Sequence, residues 1–194
     1  MPLPIEQHPL APFLPEGSRL LMLGSFPPQQ KRWCMDFFYP NFSNDMWRIF
    51  GLIFFDDPLH FVDTEHKTFR MTEIIEFLNT KGVGIYDTAC AVRRLQGNAS
   101  DKYLEVVTPT DIEGLLTRMP RCRAIVTTGQ KATDTICERF GITQPKMGAS
   151  TTFRLGDEEF RLYRMPSSSR AYPIALAKKA EAYRGMFEEI FGEE

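Results

Sequence analysis

The sequence predicts an α/β fold, a three-layer α/β/α domain built on a central four-stranded, mostly parallel sheet. Three observations carry that expectation. Apolar runs of strand length at Arg19–Ser25, Val83–Tyr86 and Arg123–Thr128 are separated by segments with helical spacing, and strand alternating with helix implies parallel pairing through crossovers. Thr151–Leu155 and Glu159–Met165 flank Gly156-Asp157, a hairpin signal whose second arm supplies the fourth core strand. With 194 residues and 43% apolar content, the chain is long enough for one well-buried core and short for two, so a single domain over 1–194 is expected.

The elements follow in order. Met1–Gly17 holds five prolines and little periodicity, which predicts an extended arm on the domain surface. Asp45–Phe54 places Met46, Trp47, Ile49, Phe50 and Ile53 at helical spacing, with Ser43 or Asn44 available as N-cap. Residues 56–70 are polar and irregular, a surface excursion. Met71–Thr80 puts Ile74, Ile75 and Leu78 on one helix face, and Lys81-Gly82 stops it. Asp87 then opens a loop or helix after the second strand. Thr108-Pro109-Thr110-Asp111 reads as a helix start into Ile112–Met119, Lys131–Phe140 follows the third strand, and Ala175–Phe191 closes the chain as an amphipathic helix.

Composition excludes several classes. The formal charge is −2 and the pI about 6.0, so no global positive field draws the chain to nucleic acid, and any such contact must be local. The four cysteines show neither Cys-x-x-Cys spacing nor a nearby His cluster, which predicts a reduced, cytoplasmic protein without zinc or an iron–sulfur cluster. No apolar run reaches the roughly 18 residues of a membrane span. A nucleophile elbow, a phosphate-loop Lys and a Gly-x-Gly-x-x-Gly run are all missing, and His8, His60 and His66 form no ligand spacing and receive no role.

Two loops stand out. Leu20-Leu-Met-Leu-Gly-Ser-Phe-Pro-Pro28 is a strand that ends in a Gly/Pro turn, followed by Pro40-Asn-Phe-Ser-Asn-Asp-Met-Trp47. Phe160-Arg-Leu-Tyr-Arg-Met-Pro-Ser-Ser-Ser-Arg170 repeats the design near the other end. Open α/β sheets bind ligands at the carboxyl ends of their strands, so both loops are expected at one cleft.

This layout resembles the uracil-DNA glycosylase superfamily, in which a Gly-x-Asp/Asn-Pro loop and a His/Asn-Pro-Ser loop flank the pocket for an extruded base; here they read Gly24-Ser25-Phe26-Pro27 and Met165-Pro166-Ser167. Within it the likeness is greatest to the hypoxanthine-DNA glycosylase branch, whose first loop also lacks the acid. Asn44-Asp-Met-Trp47, Gly84-Ile-Tyr-Asp87, Thr128-Gly-Gln-Lys-Ala132 and Pro166-Ser-Ser-Ser169 are the further matches, and they span about Ser18 to Phe187.

The resemblance implies a monofunctional glycosylase that hydrolyses the N-glycosidic bond of a deaminated base after flipping it from DNA, with hypoxanthine ahead of uracil or xanthine. It implies no cofactor, no metal and a monomer. Phe26 and Met165 stand where the best-known branches carry Asp or Asn and His, so their mechanism does not transfer. Asn44 is the implied catalytic amide, and Asp87, at the end of the second strand, is a second candidate for ordering water. Either could also be a plain helix cap. Gly24, Ser25, Phe26, Phe37 and Phe38 are the candidate base-binding residues, and Ser167, Ser168, Ser169 and Arg170 the candidate DNA-phosphate contacts. Arg93-Arg94, Lys131, Arg164 and Lys178-Lys179 are candidates for a local positive stripe. Two rivals remain: a non-catalytic binder of damaged or single-stranded DNA on the same fold, favoured by Phe26 and Met165, and a nucleotide- or phosphate-binding α/β protein unrelated to repair.

Overall fold

A computed structural model describes residues 1–97 and 100–192. In chain order the strands and helices are β1 (Glu6–Gln7), β2 (Leu20–Gly24), α1 (Met46–Phe55), β3 (Val62–Asp63), β4 (Thr68–Phe69), α2 (Met71–Lys81), β5 (Val83–Asp87), β6 (Ala89–Arg94), β7 (Leu104–Pro109), α3 (Ile112–Thr117), β8 (Ala124–Thr128), α4 (Gln130–Phe140), β9 (Ser150–Leu155), β10 (Glu158–Met165) and α5 (Leu176–Phe191).

The central sheet runs β5-β2-β8-β10-β9. The first four strands are parallel, as the alternation of strand and helix predicts. The expected count of four is one short: the first arm of the hairpin pairs antiparallel with β10 along its length and becomes a fifth, edge strand. β2, β5 and β8 are buried at every residue, the pattern of strands covered on both faces. Phe50, Phe54, Phe77 and Phe187 tie α1, α2 and α5 into one layer. Right-handed crossovers put α3 and α4 on the other face, because the chain winds from β2 to β5 in one direction and from β5 to β8 and β10 in the other. That reversal leaves a switch point between the carboxyl ends of β2 and β8.

The stretch between β5 and α3 departs from the expectation. Asp87 opens neither a helix nor a long loop; after Thr88 the chain enters β6, which pairs with β7 and, on its other side, with β1 of the N-terminal arm. Val92 and Leu104 of this second sheet pack on Phe26, and Ala89 joins them. The arm is therefore partly structural. Its β1 residues are a strand, Phe13 exchanges two backbone hydrogen bonds with Ile85, and Phe13 and Leu14 pack on the core. Thr108 and Pro109 end β7, and Asp111 alone caps α3 by accepting from the Gly114 N–H at 3.0 Å. The surface excursion at 56–70 carries the small β3–β4 hairpin.

Trp47, fully buried on α1, donates its Nε1–H to the Phe38 carbonyl at 3.0 Å and so fixes the segment leading into the cleft described next. Trp47→Phe keeps one aromatic ring but takes the donor from that carbonyl, about 1–3 kcal/mol, and leaves a cavity where the pyrrole ring was, which adds to the loss. Urea unfolding is expected to show a lower midpoint at unchanged slope.

Candidate functional site

Four strand ends meet at one edge. Gly24, Asp87 and Thr128 terminate β2, β5 and β8, and Ser167 lies just past β10; all four line a single cleft of about 860 Å³, open mouth included. The Gly24–Pro28 and Phe38–Asn44 loops form its walls with Ser167–Arg170, and Asp101 closes one end. Glycine is required at position 24 because a Cβ there would lie 2.6 Å from Asp87 Oδ1.

Asp87 is buried, yet its carboxylate borders the cleft. Oδ2 pairs with His8 Nε2 at 2.7 Å. His8 Nδ1 accepts the Leu10 N–H at 3.1 Å, so Nδ1 carries no proton and Nε2–H is the donor to Asp87. Beside it, Tyr39 Oη and Thr128 Oγ1 lie 3.1 Å apart. Burial, reinforced by the Asp87 charge, holds the Tyr39 phenol protonated well above its usual range. Tyr39 reaches this place with a left-handed backbone, φ 51°, which favours glycine and is sustained here by the contacts of its ring and hydroxyl.

The second carboxylate is Asp101. Burial pushes its pKa above the usual carboxylate range and the Asp87 charge adds to the rise, while a hydrogen bond from Ser25 and the Arg94 charge oppose it.

Asn44 stands in the turn before α1. Its Oδ1 accepts the Met46 N–H at 2.9 Å, and that donor fixes which way the amide faces. Nδ2 then has no protein partner among the described residues, on a residue that borders the cleft. By position the N-cap of α1 is Asp45, whose side chain accepts no helix N–H; the hydrogen bond to the first helical N–H comes from Asn44, one of the two caps expected. Arg48 holds the turn from below, donating to the Phe42 and Asn44 carbonyls at 2.8 and 2.9 Å.

Asp45 joins the two loops. It is buried; its Oδ2 takes the Lys179 ammonium at 3.2 Å, its Oδ1 takes Arg170 Nε at 3.2 Å, and its N–H donates to the Ser168 carbonyl at 2.9 Å. Lys179, fully buried on α5, also donates to the Ser169 carbonyl at 2.8 Å. The Ser167 and Ser169 hydroxyl oxygens accept the Ser169 and Ala171 N–H groups, which leaves their O–H hydrogens to donate outward.

Ten of the eleven residues singled out in the sequence border this cleft: Gly24, Ser25, Phe26, Phe38, Asn44, Asp87, Ser167, Ser168, Ser169 and Arg170. Phe37 does not. Its ring packs between Phe13, Phe38 and Trp47 in the core. Phe26 is 7% exposed, with its ring edge-on to His8 and Arg94 over its face. The expected positive stripe is largely dissolved: Arg94 forms a two-bond pair with Glu6 and donates to the Pro27 carbonyl, Arg93 pairs with Glu105, and Lys179 is buried on Asp45. His8 is the site residue that sequence reasoning set aside. No ligand spacing marks it, and its partner is 79 positions away. Tyr39, Asp45 and Asp101 were also unassigned, and Lys179 was expected on the surface stripe rather than buried on Asp45.

The four cysteines are free, and no group of three His, Cys, Asp or Glu side chains among the described residues is arranged to hold a metal. No helix among the described residues is long and apolar enough to cross a membrane.

No family model and no curated protein matches the chain. Among solved structures it is similar to the solution NMR structure of a Methanosarcina acetivorans protein provisionally named a uracil DNA glycosylase, at 22% identity and a TM-score of 0.56, over 94% of this chain and 98% of that one. The likeness establishes the uracil-DNA glycosylase-like fold. It does not distinguish the hypoxanthine branch.

Two measurements check this geometry. Removing the ammonium with Lys179→Ala leaves the buried Asp45 carboxylate with the half-exposed Arg170 as its remaining cationic partner, and a loss of about 3 kcal/mol is expected in urea unfolding. For Asp101, the folded protein holds the proton more tightly than the unfolded chain, so its contribution is complete below the unfolded pKa and is lost as pH rises through the folded one. Asp101→Asn is therefore expected to raise Tm relative to wild type at pH 7, with the difference shrinking toward pH 3.

Proposed function

We propose that the chain is a monofunctional DNA glycosylase that hydrolyses the N-glycosidic bond of a deaminated base, hypoxanthine ahead of uracil or xanthine. The observation that carries this reading is the pairing, in one cleft at the switch point, of an ionisable carboxylate, Asp87, with an amide donor, Asn44. A pure binder of damaged DNA has no use for a buried carboxylate facing its ligand, since the charge repels phosphate and costs desolvation. The glycosylase-like fold adds support.

The chemistry follows from the donors and acceptors present. A nucleotide rotated out of the stack brings its base against Phe38 and the Gly24–Phe26 loop. Asn44 Nδ2 is a donor, because Oδ1 is held by Met46 N–H, so it suits a base carbonyl oxygen rather than a water proton. Deamination replaces an exocyclic amino group by such a carbonyl, which gives the amide a basis for selection. Asp87 orients a water by accepting one of its protons at Oδ1. The water oxygen bonds to C1′ of the sugar as the C1′–N bond breaks, the electron pair leaves with the base, and the displaced proton passes to Asp87 and then to the base or solvent. Ser167 and Ser169 hydroxyls with Arg170 take the flanking phosphates. Lys179 is buried and paired, which argues against a Schiff-base lyase step.

The reading is tested with oligonucleotides that each carry one modified base, treated with alkali to cut at any abasic site. Release of hypoxanthine, undiminished by a chelator, is expected from wild type. Asn44→Ala is expected to lower single-turnover release by about 10² or more. The accompanying loss of the turn hydrogen bond amounts to about 1 kcal/mol, so the variant still folds and binds DNA. Binding should weaken steeply with salt, as phosphate contacts release counterions. Salt-sensitive DNA binding without release of any base selects the non-catalytic rival.

A further inference from the structure

We infer that His8, delivered by the N-terminal arm, is a positioning residue for Asp87, and that the arm is thereby part of the catalytic centre; this rests on the glycosylase reading above.

The arm is fastened at both sides of His8. Glu6 and Gln7 pair with Val92 and Ala91 of β6, the His8 N–H donates to the Cys90 carbonyl at 2.8 Å, and Phe13 is bonded to Ile85. Alternation along an extended segment sends the side chains of residues 6 and 8 to the same side. Glu6 meets Arg94, which in turn holds the Pro27 carbonyl of the cleft wall, and His8 meets Asp87. The imidazole is 2% exposed and boxed by Phe26, Phe38 and Tyr86, with ring centroids at 5.2, 6.1 and 4.6 Å. It has no freedom to turn away.

The hydrogen bonds define what His8 does. Its Nε2–H is a donor to Asp87 Oδ2, and its Nδ1 is occupied by the Leu10 N–H. A proton taken up by Asp87 from water cannot pass to Nε2, which already holds one. The pair therefore fixes a carboxylate rather than relaying a proton. With Oδ2 engaged, Oδ1 is the oxygen that lies beside Gly24, where a Cβ would meet it. Phe26, at the position where the resemblance would place Asp or Asn, packs its ring on His8 instead. The acid thus comes from β5, and its orienting partner comes from the arm.

The test compares His8→Ala, His8→Gln and Asp87→Asn with wild type by single-turnover release from an inosine oligonucleotide, by binding of that oligonucleotide, and by thermal unfolding. We expect His8→Ala to lower the maximal rate by about 10- to 100-fold, the scale of lost orienting partners, with DNA affinity unchanged. His8→Gln, whose amide NH₂ can still donate to Asp87, should recover most of that rate. The double variant His8→Ala/Asp87→Asn should be no slower than Asp87→Asn alone. A purely structural His8 lowers Tm without this rescue or non-additivity, and that result overturns the inference. So does a His8→Ala protein with the wild-type rate, leaving the glycosylase reading intact. Wild-type protein that releases no base removes both. ¹⁵N spectra of the DNA-free protein give an independent check: a protonated Nε2 on His8 that responds to Asp87→Asn supports the pairing, and a protonated Nδ1 refutes it.

Discussion

The cleft depends on one buried carboxylate. Asp45 begins α1 and binds Lys179 from α5, Arg170 from the loop after β10 and the backbone of Ser168. Burying an ammonium and a carboxylate is costly unless their remaining donors and acceptors are met, and here the Ser169 carbonyl meets one more of the lysine's protons. Two loops, joined by a contact 125 positions apart in the chain, are consequently held in fixed register. Asn44 immediately precedes Asp45, so the same anchor that secures the serine loop also sets where the Asn44 amide stands.

A second carboxylate gives the cleft its chemical character. Asp87 receives one proton donor from His8 and sits over a glycine with no side chain to displace it. Asp101, whose ionised form is disfavoured by burial and by the charge of that neighbour, lines the same cleft.

β2, β5 and β8 were legible as short apolar runs, the first and last closed by glycine, β10 as the second arm of the Gly156-Asp157 hairpin, and the helices because Met46, Trp47, Ile49 and Phe50, or Ile74 and Leu78, recur at helical spacing. The second sheet was not. Ala89–Arg94 mixes apolar and basic residues, and its partner β1 lies in a proline-rich arm that carries no strand signal of its own. At the cleft, the resemblance pointed to Asn44 and to the serine loop that follows a strand and a Pro turn, and Asp87 was marked by its place at the end of a strand. His8, Asp45 and Lys179 were not, since their meaning lies in partners between 79 and 134 positions distant. Lys179 sits next to Lys178 on an amphipathic helix and reads as solvated charge; only the packing of α5 against α1 turns it inward. Phe37 illustrates the converse, an aromatic beside the motif whose ring packs on Trp47 in the core.

The central claim, that this cleft receives a base extruded from DNA, is tested most directly by a crystal structure of the Asp87→Asn variant with a duplex containing one inosine. The account predicts the hypoxanthine rotated out of the stack, its carbonyl within hydrogen-bond distance of Asn44 Nδ2 and the flanking phosphates on Ser167, Ser169 and Arg170. A duplex with the inosine still stacked and the cleft unvisited would contradict it.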